Sequence, residues 1–541
     1  MYKVTLTESY FPAQQDDFVL PLTVGGGLRA QARETPEAPA LIETDAQGHL
    51  SRRWTYGELL AEAERLARAL LSRYRPGDRI AVWAPNIPEW VIIEYAAALA
   101  GLVLVTVNPA YRARELTFVL EQSRSSGLFL VSEHRSNPMA RIAAEVLGEL
   151  ADVREVVDLR DRAALFAGAD QDIDLPDVQP DDAVQIQYTS GTTGFPKGAV
   201  LHHRGIMNNV RFMEARLGRA RGETAVCVLP MFHTSGCVGG VLGALTNGGA
   251  LILPPAFDPA VLLDLVEREG ITFVTGVPTM LVAILEAQAA RSRDVASIRS
   301  VGSGGSMVPP DLIRRIRDTF QCRFLTVYGQ TETSPLLTST FLDDAIEDGS
   351  ETIGQALPQT ELSIRDPKTN AVLPIGQVGE ICARGYALML GYNDNPDATA
   401  ATIDADGWLH TGDLGSMDAR GYLRITGRVK EMIIRGGENL FPAEIENAML
   451  EHPDVLEIAV VGIPDDKWGE VVACFLRLRH GAVLDRPALT AHCRERLAAP
   501  KTPAHWIEVQ EWPLTGSGKI QKFVLRDQFI SGALQSAATP A

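Results

Sequence analysis

The segment Tyr188-Thr-Ser-Gly-Thr-Thr-Gly-Phe-Pro-Lys-Gly198 carries three glycines, four Ser/Thr hydroxyls and one lysine in eleven residues. Successive backbone N–H groups of such a loop can close into an anion nest, the hydroxyls add donors, and Lys197 adds charge. That is the chemistry of a phosphate grip. It is not the GxxxxGK[ST] loop, because Pro196 stands where that pattern needs glycine.

Further along lie other groups suited to a nucleotide. Gly302-Ser-Gly-Gly-Ser-Met307 reads as a tight Gly-rich turn and fails GxGxxG at Met307. Tyr328-Gly-Gln-Thr-Glu332 follows an apolar strand pattern, where ligands of open α/β sheets bind. Its Thr331 and Glu332 offer oxygen atoms to a magnesium ion and a phosphate. Trp408-Leu-His-Thr-Gly-Asp413 presents a carboxylate on a Gly turn, suited to accept two ribose hydroxyl protons. Gly427-Arg-Val-Lys-Glu431 leads into Ile434-Arg-Gly-Gly-Glu-Asn439, where paired glycines permit close approach. Pro513-Leu-Thr-Gly-Ser-Gly-Lys519 places a lysine on a Gly-rich loop. Only eight of the 50 basic residues are lysines, and Lys197, Lys430 and Lys519 all fall in these motifs. Lysine is retained there as a compact, mobile ammonium.

The elements that must position these groups alternate between helix and strand. Thr55-Tyr-Gly-Glu58 is a capping-box pattern opening an amphipathic helix to about Tyr74. Ile80–Ala84, Leu102–Val107, Ala250–Leu253, Phe273–Thr275, Ile298–Val301 and Phe324–Val327 read as buried strands, which predicts parallel sheet covered on both faces. After about Ala400 the turns crowd together, and the pattern becomes α+β. A boundary near Arg428–Lys430 divides the chain into 1–429 and 430–541. His202-His203 reads as ordinary surface of the helix after the phosphate loop, since adjacent side chains point apart.

The 541 residues are 46% apolar and 22% charged, with a net charge of −18, which excludes a disordered chain and argues against a nucleic-acid binder. Six scattered cysteines without a CxxC pair predict reduced thiols. The best apolar run, Tyr95–Val105, is far short of the roughly 20 residues of a membrane span. The start of the chain lacks a signal-peptide pattern, so the expected location is the cytoplasm.

Taken together and in order, these motifs resemble the acyl-adenylate-forming superfamily of AMP-binding enzymes, over residues 25–525. The superfamily includes acyl-CoA synthetases, luciferases and peptide-synthetase adenylation domains. The resemblance implies an α/β fold. A large N-terminal domain of layered subdomains with a small distorted barrel would precede a small mobile α+β C-terminal domain turning about Lys430. It implies that Thr189, Ser190, Gly191, Thr192, Thr193, Gly194 and Lys197 hold the ATP phosphates, and that Ser303, Gly304, Gly305, Ser306 and Met307 form the adenine-side turn. Tyr328, Gly329, Gln330 and Thr331 would line the AMP site, with Thr331 and Glu332 at the α-phosphate. Glu332 and Thr192 would hold Mg²⁺, Asp413 the ribose, Arg428 the ribose or a phosphate, and Arg435, Gly436, Gly437 and Glu438 the coenzyme A side. Lys519 would reach the substrate carboxylate and α-phosphate. The expected substrates are ATP, CoA and a small carboxylic acid, and the resemblance leaves room for a homodimer.

Within the superfamily, His233 holds the place where amino-acid-activating members carry an Asp, and a buried ammonium without a carboxylate is costly. The 22 residues after Lys519 are too few for a carrier domain, no fatty acyl-AMP ligase insertion lies between Leu423 and Ile434, and a peroxisomal tripeptide is lacking. The expectation is an acid–CoA ligase with His233 as the gate of an acyl pocket. Phe232, Gly236, Val277, Gly329, Pro335 and Leu336 would line that pocket for a medium-chain fatty acid or a ring carboxylate. The glycines at 236, 239, 240 and 243 either open room or let helices pack closely. Two alternatives stand: an enzyme loading a separate phosphopantetheinyl carrier protein, and a silent nucleotide- and acid-binding protein.

Overall fold

A computed structural model describes residues 1–169, 172–189, 196–306, 308–436, 438–479, 481–514 and 520–534. The chain forms two compact units. The first comprises Met1, Pro12–Leu362 and Ala383–Leu409, and the second Tyr2–Phe11, Ser363–Cys382 and His410–Ala541.

In the first unit the largest sheet has seven strands, in the order Gly391–Tyr392, Lys197–His202, Ala183–Thr189, Val103–Val107, Arg79–Trp83, Gly127–Leu130, Glu155–Asp158. Five run parallel, while Lys197–His202 and Gly391–Tyr392 join antiparallel. The expected parallel layering is present, with a mixed edge. Every residue of the helix Pro88–Leu99 is buried, as are all five of Val103–Val107, so this helix has no solvent face. Each fully buried Val, Leu or Ile there contributes about 1.5–3 kcal/mol. The helix Tyr56–Leu71 begins with the predicted capping box, in which Thr55 and Glu58 satisfy each other's backbone N–H groups.

A four-stranded sheet, in the order Ala225–Val226, Leu251–Leu253, Pro39–Thr44, Leu50–Thr55, packs beside a five-stranded one. The latter runs Phe273–Thr275, Ser300–Gly304, Arg323–Gly329, Leu336–Ser339, Gln355–Ala356, its first three strands parallel. Two expectations change here. Gly302, Ser303 and Gly304 are strand rather than turn, because they pair with Thr275 on one side and with Leu325, Thr326 and Val327 on the other. His202 and His203 are buried, not surface. His202 Nδ1 caps the helix His203–Leu217 by accepting from Gly205 N, and His203 Nδ1 accepts from Val24 N, both at 3.2 Å.

Most residues of the sheet Tyr10–Phe11, Thr360–Arg365, Gly379–Gly385, Leu409–Met417, Leu423–Arg428 belong to the second unit. A second sheet in that unit is built on the hairpin Val455–Asp465 and Gly469–Leu478. The helix Pro442–Leu450 covers one face through Ile445 and Met449, and Leu525 of the helix Lys522–Ile530 covers the other. All six cysteines are free and buried. Among the described residues no helix is long and apolar enough to cross a membrane.

Candidate active site

The strands Phe273–Thr275, Ser300–Gly304 and Arg323–Gly329 run parallel in register, so their carboxyl ends share one edge. That edge is where an open α/β sheet takes its ligand. It brings Val277, Gly305, Ser306 and the run Tyr328–Glu332 to one end of the sheet. Ser303 is buried, and its hydroxyl donates to Gly276 O at 2.8 Å, tying two strand ends together. A Cβ on Gly304 would lie 2.4 Å from Val327 O, so only glycine fits there. Gly329 crosses the backbone of Pro335 and Leu336 so closely that a Cβ would sit 2.1 Å from Pro335 O. Three residues assigned to the acyl pocket thus meet.

Thr331–Thr333 form a single 3₁₀ turn, held by Thr333 Oγ1 donating to Gln330 O at 2.8 Å. Thr331 and Glu332 are buried in it. Glu332 Oε1 accepts from the Tyr392 hydroxyl at 2.7 Å. Burial, and then the Glu332 carboxylate, push the Tyr392 phenol far up, so it stays protonated and donates. Tyr392 pairs with Ala199 across the sheet, and Lys197 Nζ lies 4.7 Å from its ring centroid. Thr189 and Lys197 pair opposite each other at the two ends of the Gly/Thr-rich segment 190–196. Ser190, Gly191, Thr192, Thr193 and Gly194 lie outside the described residues, as do Met307, Gly437 and Lys519. Tyr392 was missed from the sequence. Its only signal is a tyrosine after glycine in the stretch Ala387–Tyr392.

His233 is half-buried beside Phe232, and its Nδ1 accepts from Ser235 N at 3.2 Å with Ser235 Oγ at 3.0 Å. Its carbonyl receives Gly236 N and Cys237 N at the start of a π-helix, Ser235–Leu242. Such helices are rare and recur at functional sites. The glycine question resolves here. A Cβ at Gly236 would meet Pro230 O at 2.3 Å, at Gly240 Cys227 Sγ at 2.6 Å, and at Gly243 Glu214 Oε1 at 2.9 Å. These three serve close packing. Gly239 alone has room, its nearest neighbour being Thr234 O at 3.8 Å.

In the second unit, Asp413 and Arg428 face each other across paired strands, with Arg428 Nε 2.8 Å from Asp413 Oδ1. Asp413 is buried on the turn that Gly412 makes at φ +72°. Glu380 braces this turn: Oε1 accepts from Gly412 N at 2.9 Å, and Oε2 meets His410 Nδ1 at 2.8 Å. Cys382 Sγ is 3.5 Å from the same nitrogen. Glu380, Cys382 and His410 converge within 4.8 Å, as metal ligands can, but these hydrogen bonds account for their arrangement. Glu380 and His410 were also missed. Their roles come from strand neighbours 30 residues apart, which no local pattern shows.

Lys430 sits in the 3₁₀ turn Val429–Glu431, and Glu431 Oε2 is 3.1 Å from Lys522 Nζ, which also lies 2.8 Å from Glu446. Gly436 takes φ +59° and donates to Trp468 O at 2.7 Å. Arg435, paired with Glu438 in the neighbouring strand, lies 5.4 Å from the Trp468 ring centroid, and Lys467 Nζ lies 5.0 Å from it. Trp468 is 42% exposed. It was not anticipated, although an indole after a lysine in a turn was legible.

Comparison with known proteins bears on this geometry. Residues 28–393 match the family model "AMP-binding enzyme", and residues 444–519 match "AMP-binding enzyme C-terminal domain". The putative acyl-CoA synthetase YngI of Bacillus subtilis is 36% identical over 94% of this chain and 97% of its own. The human mitochondrial medium-chain acyl-CoA ligase ACSF2 is 36% identical over 94% of this chain and 87% of its own. Among solved structures, ATP-bound MatB from Rhodopseudomonas palustris superposes with a TM-score of 0.85 at 30% identity, covering 94% of this chain and 99% of that one. Bacillus subtilis o-succinylbenzoate CoA synthetase MenE, in complex with its acyl-adenylate intermediate, gives 0.82 at 30% identity with the same coverage.

Proposed function

Since the chain belongs to the AMP-binding enzyme family and is an acyl-CoA synthetase that activates a carboxylic acid with ATP, we propose that its acid is apolar, a medium-chain fatty acid or an alicyclic or aromatic acid. Relatives named medium-chain acyl-CoA ligase support the fatty acid. The apolar character of Phe232, Val277, Pro335 and Leu336, the residues we assign with His233 to the acyl pocket, supports an apolar group in general.

The observation that carries the reading is the buried Glu332, oriented by Tyr392 next to Lys197 at the foot of the phosphate loop. In the first half-reaction a carboxylate oxygen attacks the α-phosphorus, and the bond to the β-phosphate oxygen breaks. Pyrophosphate leaves with that electron pair, and acyl-AMP remains. Two anions must approach, so cationic groups aimed at the developing charge lower the barrier. We assign Lys519 to the carboxylate and α-phosphate, Lys197 to the outer phosphates, and Asp413 with Arg428 to the ribose. Glu332 fits a hard dication, because its buried carboxylate has one oxygen already oriented by a hydroxyl. With Thr192 it would hold Mg²⁺, which when bound neutralises phosphate charge.

In the second half-reaction the thiol sulfur of CoA attacks the acyl carbon, the bond to AMP oxygen breaks, and the thiol proton is lost. Lys519 must then withdraw. We assign that change to a turn about Lys430 between the functional parts 1–429 and 430–541, which would bring Gly436 and Gly437 to the thiol arm. Free CoA is favoured over a carrier protein by Trp468. An exposed indole with Arg435 and Lys467 at its ring suits the stacked base and phosphates of a nucleotide-bearing thiol. Six buried free thiols support a reducing compartment, and we place the protein in the cytoplasm.

Assaying AMP formation across a panel of carboxylic acids, with ATP and either CoA or a phosphopantetheinylated carrier, tests this. Turnover highest with an apolar acid and CoA is expected. Turnover confined to a polar acid, or to the carrier, contradicts it.

A further inference from the structure

Glu94 is the single charged residue in the middle of the helix Pro88–Leu99, and it is 2% exposed. A buried carboxyl is costly unless its partners offset the loss of water. One partner is plain: Glu94 Oε1 accepts from Gln185 Nε2 at 2.7 Å. The contact opens a chain of buried polar groups. Gln187 Nε2 donates to Gln185 Oε1 at 2.9 Å and lies 3.1 Å from Cys237 Sγ. Thr106 Oγ1 donates to Gln187 Oε1 at 3.1 Å. Cys237 Sγ is 3.6 Å from Gln185 Oε1 and 3.4 Å from the carbonyl oxygen of His233.

The chain joins two elements that the reaction uses. Gln185 and Gln187 lie on one face of the strand Ala183–Thr189, which ends at the phosphate loop. Cys237 lies in the π-helix Ser235–Leu242, whose first turn is anchored on the His233 carbonyl. Burial pushes the Glu94 carboxyl well above its ordinary value.

We infer that Glu94 is a positioning residue for the acid site: through Gln185 and Cys237 it fixes the π-helix, and with it the backbone of His233, against the strand that leads to the phosphates. This rests on the reading of His233 as part of the acyl pocket. A small displacement of a positioned group can cost about a hundredfold in rate. Loss of the chain should appear in the acid and not in ATP, because Lys197 and Tyr392 hold the phosphate side without it.

The experiment compares Glu94→Met, Glu94→Gln and Cys237→Ala in carboxylate-dependent pyrophosphate exchange, with KM for acid and for ATP measured separately and melting temperature recorded. Glu94→Met leaves the Gln185 amide without its acceptor, and it should raise the acid KM on the order of tenfold or more while the ATP KM stays within about twofold. Glu94→Gln keeps an acceptor oxygen and should restore near-native values. Cys237→Ala cuts the chain at its far end and should reproduce the acid-side defect, so it carries the test if Glu94→Met fails to fold. An unchanged acid KM in both disruptive variants overturns the inference. So does a parallel loss for acid and ATP that tracks melting temperature, or a Glu94→Gln enzyme as damaged as Glu94→Met. If His233→Ala leaves acid kinetics untouched while Glu94→Met alters them, the pocket assignment fails and the inference falls with it. If only the Glu94 and Cys237 variants are silent, the inference alone fails.

Discussion

The Tyr392 hydroxyl donates to Glu332 Oε1 at 2.7 Å, and the two residues are 60 positions apart in the chain. Tyr392 comes from an edge strand and Glu332 from the turn after a strand of another sheet. One hydroxyl therefore fixes the carboxylate, and the same ring lies beside Lys197.

Tyr392→Phe removes that hydroxyl and leaves the ring beside Lys197. A hydrogen bond to a charged group is worth about 1.5–3 kcal/mol, so pyrophosphate exchange should fall by roughly tenfold to a hundredfold. The magnesium concentration for half-maximal rate should rise with it. A magnesium titration of the exchange rate checks this, and an unchanged curve would remove Tyr392 from the site.

Trp468→Ala should raise the KM for CoA by roughly tenfold, since stacking of a base on an aromatic ring is worth about 1–3 kcal/mol. Pyrophosphate exchange, which needs no thiol, should be untouched. Separate kinetics of the two half-reactions check both statements. A defect in exchange would mean that Trp468 serves the fold and not the acceptor.

His203 gives stability a pH dependence of known sign. Its pKa is pushed down to about 4 by burial, and it has 0% exposure. Below the unfolded value of about 6.5 the unfolded chain binds the proton more readily than the folded one. Stability is full above pH of about 6.5 and falls by about 3 kcal/mol as the pH drops toward 4. His202, also buried and pushed down, adds its own share in the same direction. His203→Gln retains an acceptor for Val24 N, and its melting temperature should fall less steeply over that window. Parallel curves for the two proteins would refute the assignment.

Gly329→Ala should lower stability on the order of 3 kcal/mol or more. The added methyl meets Pro335 O and the Leu336 backbone, which no side-chain motion can relieve. Thermal unfolding measures this, and a melting point within a degree or so of wild type would contradict it, given about 2–4 °C per kcal/mol in larger domains.

What the sequence made legible was local. The Thr55–Glu58 cap, the buried strand beginning near Ile80 and the order of the Gly-rich motifs all follow from spacing within a few residues. The missed features depend on partners brought together by the sheets. Tyr392, Glu380 and Trp468 acquire their roles from strands far away in the chain. His203 looked like surface because an adjacent His pair on an amphipathic helix gives no sign that Val24 will cover it. Gly302–Gly304 looked like turn because glycines weaken a strand, whereas Gly302 pairs on both sides and the closeness of Val327 O admits only glycine at 304.

The most direct test of the central claim measures both half-reactions in Lys519→Ala. Carboxylate-dependent pyrophosphate release should be lost, while thiolysis of a supplied acyl-adenylate by CoA continues near the wild-type rate. Equal loss of the two steps, or adenylation that survives without this ammonium, would contradict the account.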